Sequence, residues 1–419
     1  MNKGQTLSQL QVRFSRMAAF AVGVGVLAGS ASALFLVLLA GVTTMHGQYP
    51  WLLFFLPAAG WSIAHVYRQF GKALEPGSNL IFSAYRTPNE KLPIRMAPLV
   101  LVGTVMTHLF GGSAGREGTA VQMGAALAHQ FTAWLKVDER ERQLLIIAGV
   151  AAGFASVFGT PWAGALFAVE VMALRRYSYD LILPAFGAAF VGDFICHAWG
   201  VSHTVYPHVI ALDVEFVHLL WAALAAALFG FGARLFTAAT HYATQVFKRT
   251  FASSSHRMFA GGCAVIAMWF VLPPVFGVDG SRFLGLGIPV IEAAFASELG
   301  RADFAFKILF TALTLGSGFK GGEVTPLFFV GATLGNALVW FIPLPLPLLA
   351  AMGFIGVFAG ATQTPLACLA MGIELFGAEA TLFFALSVLV AFGFSGRRSI
   401  YQTQDSHPVK ERISRWFRS

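Results

Sequence analysis

The chain has 419 residues, a mean hydropathy of +0.69, 57% hydrophobic residues and only 11% charged residues. Ordinary soluble domains carry about 25% charged residues, so the composition excludes a soluble globular protein and predicts an all-α polytopic protein of the lipid bilayer. The net charge of +8 does not indicate nucleic acid as a partner, because the basic residues flank apolar runs, as membrane topology requires.

Residue types that would indicate an enzyme or a metalloprotein are scattered. The three cysteines are far apart: Cys196, Cys263 and Cys368. No CxxC or His/Cys cluster predicts a metal or redox centre, and His108, His197 and His218 lack partners at metal-ligand spacing, so we interpret them as packing or interfacial residues. No phosphate-binding loop is recognisable. We therefore expect no enzymatic activity, no cofactor and no metal, and coupling to an ion or proton gradient rather than to ATP.

The first predicted element is a spanning helix. Residues 1–16 carry Lys3, Arg13 and Arg16 and are predicted to form a cytoplasmic arm. The apolar run of residues 17–44 begins like a signal peptide but is too long for one, so we predict that it crosses the membrane.

Further apolar segments follow as far as residue 396: 51–67, 94–111, 118–135, 143–174, 179–199, 215–245, 256–277, 303–317, 324–342, 347–376 and 379–396. Several are too short, or too interrupted by Gly and Pro, to span about 30 Å of hydrocarbon alone. Broken helices persist in a membrane only where their backbone is buried or lines a wet cavity. The pattern therefore predicts a transport site built from broken helices.

The segments form one predicted transport domain, residues 17–396, because no polar linker divides it. The tail, residues 397–419, is basic and contains Arg397, Arg398, Lys410, Arg412, Arg415 and Arg418. Positive charge beside a spanning segment favours the cytoplasmic side. We expect both termini in the cytoplasm and no C-terminal regulatory domain.

The chain also contains an internal repeat, approximately residues 77–199 and 256–396. Three matches at nearly the same separation carry it: Thr160-Pro161 with Thr364-Pro365, Glu170 with Glu374, and Gly115-Arg116-Glu117-Gly118-Thr119 with Gly321-Gly322-Glu323-Val324-Thr325. Repeats of this kind often place a transport site where their broken helices meet. The sequence leaves their relative orientation open.

Glu117 is the strongest candidate for a functional residue. It lies in a glycine-rich loop directly before an apolar run, so the loop is predicted to be a helix N-terminus with open backbone N–H groups, Gly118 among them. Such a terminus favours an anion. A carboxylate there can occupy the anion site itself, and protonation would release it. The alternative is a helix-start glutamate paired with Arg116, but acids within membranes are costly and usually functional.

The second glycine-rich loop places Glu323 before another apolar helix. Val324 and Thr325 are predicted to offer backbone N–H groups, and Thr325 also a hydroxyl, to an anion. The alternative for Glu323 is a helix cap paired with Lys320.

Weaker candidates lie at both ends of the domain. In Gly77-Ser78-Asn79 a polar side chain can contact an anion or cap its own helix, and the sequence does not decide between Ser78 and Asn79. Tyr401 can reach a pore mouth or serve as an interfacial anchor. Glu170 and Glu374, at matched positions, are predicted to tie helix ends rather than to transport protons.

These motifs, in this order over residues 77–401, resemble the CLC family of anion channels and proton-coupled antiporters. The resemblance implies two inverted repeats and a homodimer in which each subunit has its own pathway. It implies that Glu117 is the gate, that Ser78 and Tyr401 coordinate the inner anion, and that the amides of Val324 and Thr325 face the central anion.

Three positions depart from the chloride antiporters of the family. Val171 replaces a second, internal proton glutamate, the second loop carries Glu323, and Thr119 replaces a usual proline. These departures resemble the bacterial fluoride/proton antiporter branch, in which the loop acid serves proton coupling and the threonine matching Thr325 assists the gate. Ser78, in contrast, is the residue type of the chloride members.

The predicted function is export of fluoride in exchange for protons across a bacterial inner membrane. Fluoride enters cells as neutral HF in acid and is trapped as the ion at neutral pH, so exchange for incoming protons removes it. The alternative within the family is a chloride/proton antiporter or chloride channel. A membrane enzyme using Glu117 and Glu323 as an acid/base pair is a third hypothesis, although no nucleophile or metal cluster accompanies them.

Overall fold

The computed structural model describes residues 3–88, 90–135, 137–173, 179–210, 212–401, 404 and 410, with side chains from residue 15 onward apart from those of residues 133, 173 and 179. Most of the predicted cytoplasmic tail therefore lies outside the described residues. The described part of the predicted N-terminal arm is the first turns of a long helix.

The described residues are helical and contain no β-strand, so the predicted all-α class is confirmed. The α-helices are α1 Lys3–Gln48, α2 Leu56–Phe70, α3 Ser78–Arg86, α4 Met96–Leu109, α5 Glu117–Leu135, α6 Glu139–Phe158, α7 Pro161–Ala173, α8 Ile182–Ala198, α9 Phe216–Thr250, α10 Ser254–Phe276, α11 Ile288–Ala293, α12 Asp303–Ser317, α13 Val324–Leu338, α14 Leu346–Thr362, α15 Pro365–Phe376 and α16 Thr381–Phe394. Short 3-10 helices lie at Pro50–Phe55, Lys72–Leu74, Tyr179–Leu181 and Gly280–Phe283.

Two of the predicted apolar segments, 143–174 and 347–376, are each divided into two helices. Gly159 ends α6 in the left-handed conformation (φ 71°), and Pro161 starts α7. Gln363 (φ 63°) and Pro365 do the same between α14 and α15. Proline suits the first turn of a helix but not its interior, so it fixes where each new helix begins.

Four helices among the described residues are long and apolar enough to cross a membrane: Ser15–Gln48 of α1, α6, α9 and α10. In their most apolar windows, 94% of the residues of α6 are buried inside the protein, against 22% for α10. Therefore α6 is a core helix surrounded by protein, whereas α10 presents most of its surface outward, where an apolar helix faces lipid.

Helix pairs α5–α6 and α13–α14 pack in the same way in the two halves. A Cβ on Gly124 of α5 would lie 2.2 Å from the carbonyl oxygen of Gly149, and one on Gly331 of α13 would lie 2.2 Å from that of Gly353. Neither contact leaves room for a side chain, so small residues set the close helix approach, as is typical of membrane bundles.

Glu170 and Glu374 join the halves reciprocally. Glu170, at the end of α7, accepts hydrogen bonds from the backbone N–H groups of Leu366 (3.1 Å) and Ala367 (2.7 Å) at the start of α15. Glu374, at the end of α15, accepts them from residues 162 (3.0 Å) and 163 (2.8 Å) at the start of α7. Each carboxylate thus satisfies free N–H donors of the other repeat's helix, and the predicted helix-tying role is confirmed. This two-fold reciprocity is expected for inverted repeats.

Candidate functional site

The two glycine-rich loops meet in the centre of the molecule. The N–H of Gly115 donates to the carbonyl of Gly322 (2.6 Å), and the N–H of Gly322 donates to the carbonyl of Gly115 (2.7 Å). This short antiparallel bridge places the first residues of α5 and α13 side by side. The matched motifs of the sequence are therefore neighbours in space, as the repeat predicts.

Glu117 is completely buried at the start of α5, and its carboxylate points across to the other repeat. It accepts hydrogen bonds from the backbone N–H of Thr325 (3.1 Å), the Thr325 hydroxyl, and the backbone N–H of Arg116 (3.0 Å). The guanidinium of Arg116 lies farther away, with Nε 3.8 Å from Oε1. Backbone N–H groups and the Thr325 hydroxyl, rather than the Arg116 guanidinium, therefore dominate the contacts of this carboxylate.

The carboxylate of Glu117 thus lies at the N-terminus of α13, where the helix dipole and free N–H groups favour negative charge. A small anion would find the same donors if the side chain moved away. The arrangement can therefore exchange an internal carboxylate for an external anion at one position.

A small cavity of about 20 Å³ adjoins Glu117. This volume holds roughly one water-sized body. The lining includes Ser78, Gly118, Val324 and Tyr401 from the predicted site, and the remaining walls are mostly apolar, with Val121, Val150, Phe154, Phe167, Val171 and Met172. An apolar wall with few polar groups is typical of a selective small-ligand site.

A larger vestibule of about 510 Å³ lies next to this cavity and shares Ser78 and Tyr401 with it. Asn79 lines the vestibule but not the small cavity. The vestibule contains both signs of charge: Glu75, Glu323, Lys248, Arg257 and Lys320. Ser78 and Tyr401 therefore stand where the wide compartment narrows to the space beside Glu117.

Glu323 precedes α13 but makes no capping hydrogen bond to it. It also forms no ion pair with Lys320 among the described residues; the Lys320 ammonium lies over the ring of Tyr67, 4.2 Å from its centroid. The alternative of a cap paired with Lys320 is therefore wrong. An oxygen of Glu323 lies 3.8 Å from where a Cβ on Gly118 would stand, so this acid lies beside the Glu117 loop and faces the vestibule.

The structure adds polar residues that the sequence analysis did not single out. Gln122 donates from Nε2 to the hydroxyl oxygen of Ser78 (3.2 Å), which leaves the Ser78 proton available for another acceptor. Thr104 and Thr119 share a buried hydrogen bond of 2.6 Å between their hydroxyls. A polar residue inside an apolar helix, such as Gln122, is a usable sequence signal.

One expectation about histidines is corrected. The sequence shows no partner for His197 at metal-ligand spacing, and His197 is therefore interpreted as a packing or interfacial residue. In the structure, Asp193, His197 and His203 each offer a potential ligand atom, and the three atoms lie within 4.8 Å of one another. His203 lies in the loop after α8, and folding of that loop onto the helix ends brings it to His197. Spacing along the chain could not reveal this contact.

Comparisons with known proteins agree with the geometry. The family model described as "Voltage gated chloride channel" matches residues 55–396. A chloride/fluoride channel protein of Pseudomonas syringae pv. tomato is 45% identical over 381 residues, 91% of this chain and 84% of the relative. The chain resembles a crystal structure of a CLC-type fluoride/proton antiporter with a TM-score of 0.88 at 34% identity, covering 94% of this chain and 98% of the other.

A slow cyanobacterial Cl−/H+ antiporter has a TM-score of 0.79 at 19% identity, covering 95% of this chain and 98% of that structure, and this likeness concerns the fold alone. The family match spans most of the sequence, including both glycine-rich loops and the paired glutamates. Together with the all-helical inverted-repeat architecture, it identifies the protein as a member of the voltage-gated chloride channel (CLC) family of membrane transport proteins.

Proposed function

We propose that the protein is an antiporter that exports fluoride in exchange for protons, with Glu117 as gate and proton carrier. One observation carries this proposal: the buried Glu117 carboxylate occupies the N-terminus of α13, bonded by the N–H and hydroxyl of Thr325. A carboxylate held by anion-binding donors competes with an anion for them. Protonation removes its charge, weakens these charge-assisted hydrogen bonds, and frees the position.

The proton leaving or reaching Glu117 is proposed to travel by way of Glu323. This acid lines the vestibule and lies near Gly118, the residue after the gate. The chloride antiporters that this chain resembles carry their internal proton glutamate at the position of Val171. Val171 is a buried residue of the small cavity wall and cannot accept a proton. Glu323 is therefore the acid best placed to connect the vestibule with the gate.

Anion contacts are proposed for Ser78, Gly118, Val324 and Tyr401, which line the small cavity, and for Thr325 once Glu117 has left it. Asn79 is assigned to the vestibule. Fluoride is small and strongly hydrated, so a site for it must replace water with close donors. A cavity for one water-sized body with hydroxyl and amide donors supports fluoride, as do the names of the relatives.

Chloride remains the second candidate, because Ser78 is the residue type of the chloride members and lines the small cavity. Exchange of chloride for protons, or passive chloride flow, would use the same gate. An acid/base enzyme is disfavoured, because Glu117 is held by donors that suit a resting anion and opens onto a cavity too small for an organic substrate.

The vestibule is proposed to face the cytoplasm. Arg16 of α1 pairs with Glu141 at the start of α6 (3.2 Å), and Arg142 donates to the carbonyl of Ala84 at the end of α3. The segment of α1 around Arg16, the start of α6 and the end of α3 therefore lie on one face of the protein. The positive-inside rule assigns such a basic face to the cytoplasm. Residues 1–16 and 397–419 are assigned to the same side of a bacterial inner membrane, and a homodimer is expected from the family resemblance.

The test is efflux from liposomes read with fluoride, chloride and pH electrodes together. We expect fluoride efflux with proton uptake in a fixed ratio, faster than chloride efflux. In Glu117→Gln, which keeps the size of the side chain but cannot cycle a proton, fluoride-coupled proton uptake should fall to the level of protein-free liposomes.

Chloride efflux faster than fluoride efflux would replace the fluoride assignment by the chloride one. Proton uptake that survives in Glu117→Gln would exclude Glu117 as the proton carrier. The two results are independent, because the first concerns the anion and the second the gate.

A further inference from the structure

Away from the gate, a group of potential metal ligands lies at the C-terminal ends of α6 and α8. Asp193 and His197 stand one turn apart on α8, and His203 reaches them from the following loop. One atom from each side chain can be chosen so that all three lie within 4.8 Å of one another. Two imidazoles and one carboxylate form a donor set that binds Zn²⁺ in proteins.

The hydrogen bonds of His203 determine which ring nitrogen is available. Its Nε2 lies 2.9 Å from the carbonyl oxygen of Ser156, near the end of α6, so that nitrogen carries the proton and donates. Its Nδ1 then presents a lone pair, is buried, and has no hydrogen-bond partner among the described residues. Metal-binding histidines are oriented in this way, with the second ring nitrogen donating to a backbone carbonyl.

The other two ligands fit the same interpretation. Oδ1 of Asp193 is also buried and makes no hydrogen bond within the described chain, although Nδ1 of His197 lies 3.3 Å from it. Nδ1 of His197 also lies 3.0 Å from the Asp193 carbonyl oxygen, which leaves Nε2 free. The His197 side chain is 53% exposed and can turn toward the other two.

These two polar atoms, Oδ1 of Asp193 and Nδ1 of His203, are buried without partners among the described residues. Each carries a desolvation cost that a bound cation would remove. Zinc bonds of about 2.1 Å in tetrahedral geometry place ligand atoms roughly 3.4 Å apart, so a modest rotation of the exposed His197 ring would close the site. The negative end of the α6 dipole also favours a cation here.

We propose that Asp193, His197 and His203 bind one Zn²⁺ ion per chain, with water completing the coordination. The site would tie the loop after α8 to the ends of α6 and α8. It is separate from the small cavity and the vestibule, since none of its three ligands lines either, and it does not depend on which anion is transported.

The test is zinc titration by calorimetry of the full chain in detergent, without a polyhistidine tag. Cys263 is exposed and is a competing ligand, so all proteins carry Cys263→Ser. We expect one Zn²⁺ per chain, and at least about tenfold weaker binding in His197→Ala, whose exposed side chain makes misfolding a minor concern. His203→Gln should weaken binding to a similar extent.

The matched control is His218→Gln. Nδ1 of His218 lies 2.9 Å from the carbonyl oxygen of Asp213, which resembles the His197–Asp193 contact, but His218 belongs to no ligand group among the described residues. Zinc binding should be unchanged in this variant. Absence of stoichiometric binding, equal loss in His218→Gln, or sulfur ligands in the zinc X-ray absorption spectrum would each overturn the proposal.

Discussion

The two glycine-rich loops have nearly the same sequence pattern, yet the structure uses their glutamates differently. Glu117 is the first residue of α5, is fully buried, and reaches across the Gly115–Gly322 bridge to Thr325. Glu323 comes one position before α13, makes no capping bond, and faces the vestibule. A one-residue difference relative to the helix start therefore accompanies two different placements. The carboxylate of Glu117 is buried at the N-terminus of α13, whereas Glu323 lines the vestibule.

The comparison teaches that the duplicated loops lead into similar helix N-termini, while their two glutamates make different contacts. Glu117 accepts hydrogen bonds from Thr325 of the second loop, whereas among the described residues Glu323 accepts none from the first loop. Substitutions that act on one loop and not on the other should therefore have different effects on transport.

The largest effect is expected for Glu323→Gln. If Glu323 relays the proton, the substitution should lower fluoride-coupled proton uptake on the order of 10²-fold, because a positioned acid or base contributes about 10²–10⁴-fold to proton transfer. The measurement is proton uptake by liposomes during fluoride efflux. Glu75→Gln is the control, since Glu75 is an exposed acid of the same vestibule. Undiminished antiport in Glu323→Gln would remove this residue from the proton path.

Thr325→Val should loosen the gate. It removes the hydroxyl that donates to Glu117 but keeps the backbone N–H, and a hydrogen bond to a charged group contributes about 1.5–3 kcal/mol. We expect uncoupled fluoride leak to rise about tenfold, measured as the fluoride-to-proton ratio.

Thr333→Val provides the matched control for the gate. Thr333 is buried in the same helix, and its hydroxyl donates to the carbonyl of Phe329 within that helix. This variant should keep the wild-type ratio. An equal rise in both variants would mean that helix packing, and not the bond to Glu117, sets the leak.

The paired helix caps allow the repeats to be compared in stability. Glu170 is 2% exposed, whereas Glu374 is less buried. Glutamine can accept only with its one oxygen, so either substitution leaves a backbone donor unsatisfied, at a cost of about 1–3 kcal/mol when buried. We expect Glu170→Gln to lower the free energy of unfolding in detergent by about 2–3 kcal/mol and Glu374→Gln by about 1 kcal/mol.

Glu298→Gln, at an exposed position, is the control for these caps and should leave the stability unchanged. A larger loss of unfolding free energy for Glu374→Gln than for Glu170→Gln would show that burial does not determine which of the two contacts contributes more to stability.

The smallest effect is expected at the mouth of the small cavity. Ser78→Ala removes a hydroxyl whose oxygen accepts from Gln122 and whose proton is free for an anion. One neutral hydrogen bond contributes about 1 kcal/mol, so we expect about fivefold weaker fluoride binding by calorimetry. Asn79→Ala, which changes the vestibule lining but not the lining of the small cavity, should alter fluoride binding less than about twofold. The reverse order would assign the anion contact to Asn79.

Much of the fold was predictable because its signals are local. Composition and apolar runs predict membrane helices, and α12, Asp303–Ser317, has the bounds of the predicted segment. Glycine next to a membrane-embedded glutamate predicts a helix N-terminus, and Glu117 lies there. The breaks before Pro161 and Pro365 were less clear, because the apolar runs continue through them and only backbone geometry separates the helices.

The sequence by itself determined the helical class, the duplication and the acids at the two loops, because hydrophobicity, helix-start chemistry and internal repeats are properties of short stretches of chain. Only the tertiary structure decided three contacts. Glu117 accepts hydrogen bonds from Thr325, Lys320 lies over Tyr67 and leaves Glu323 to line the vestibule, and His203 lies beside Asp193 and His197. Those contacts join residues from separate elements. Their geometry depends on how the helices pack against one another, which no single segment of the sequence determines.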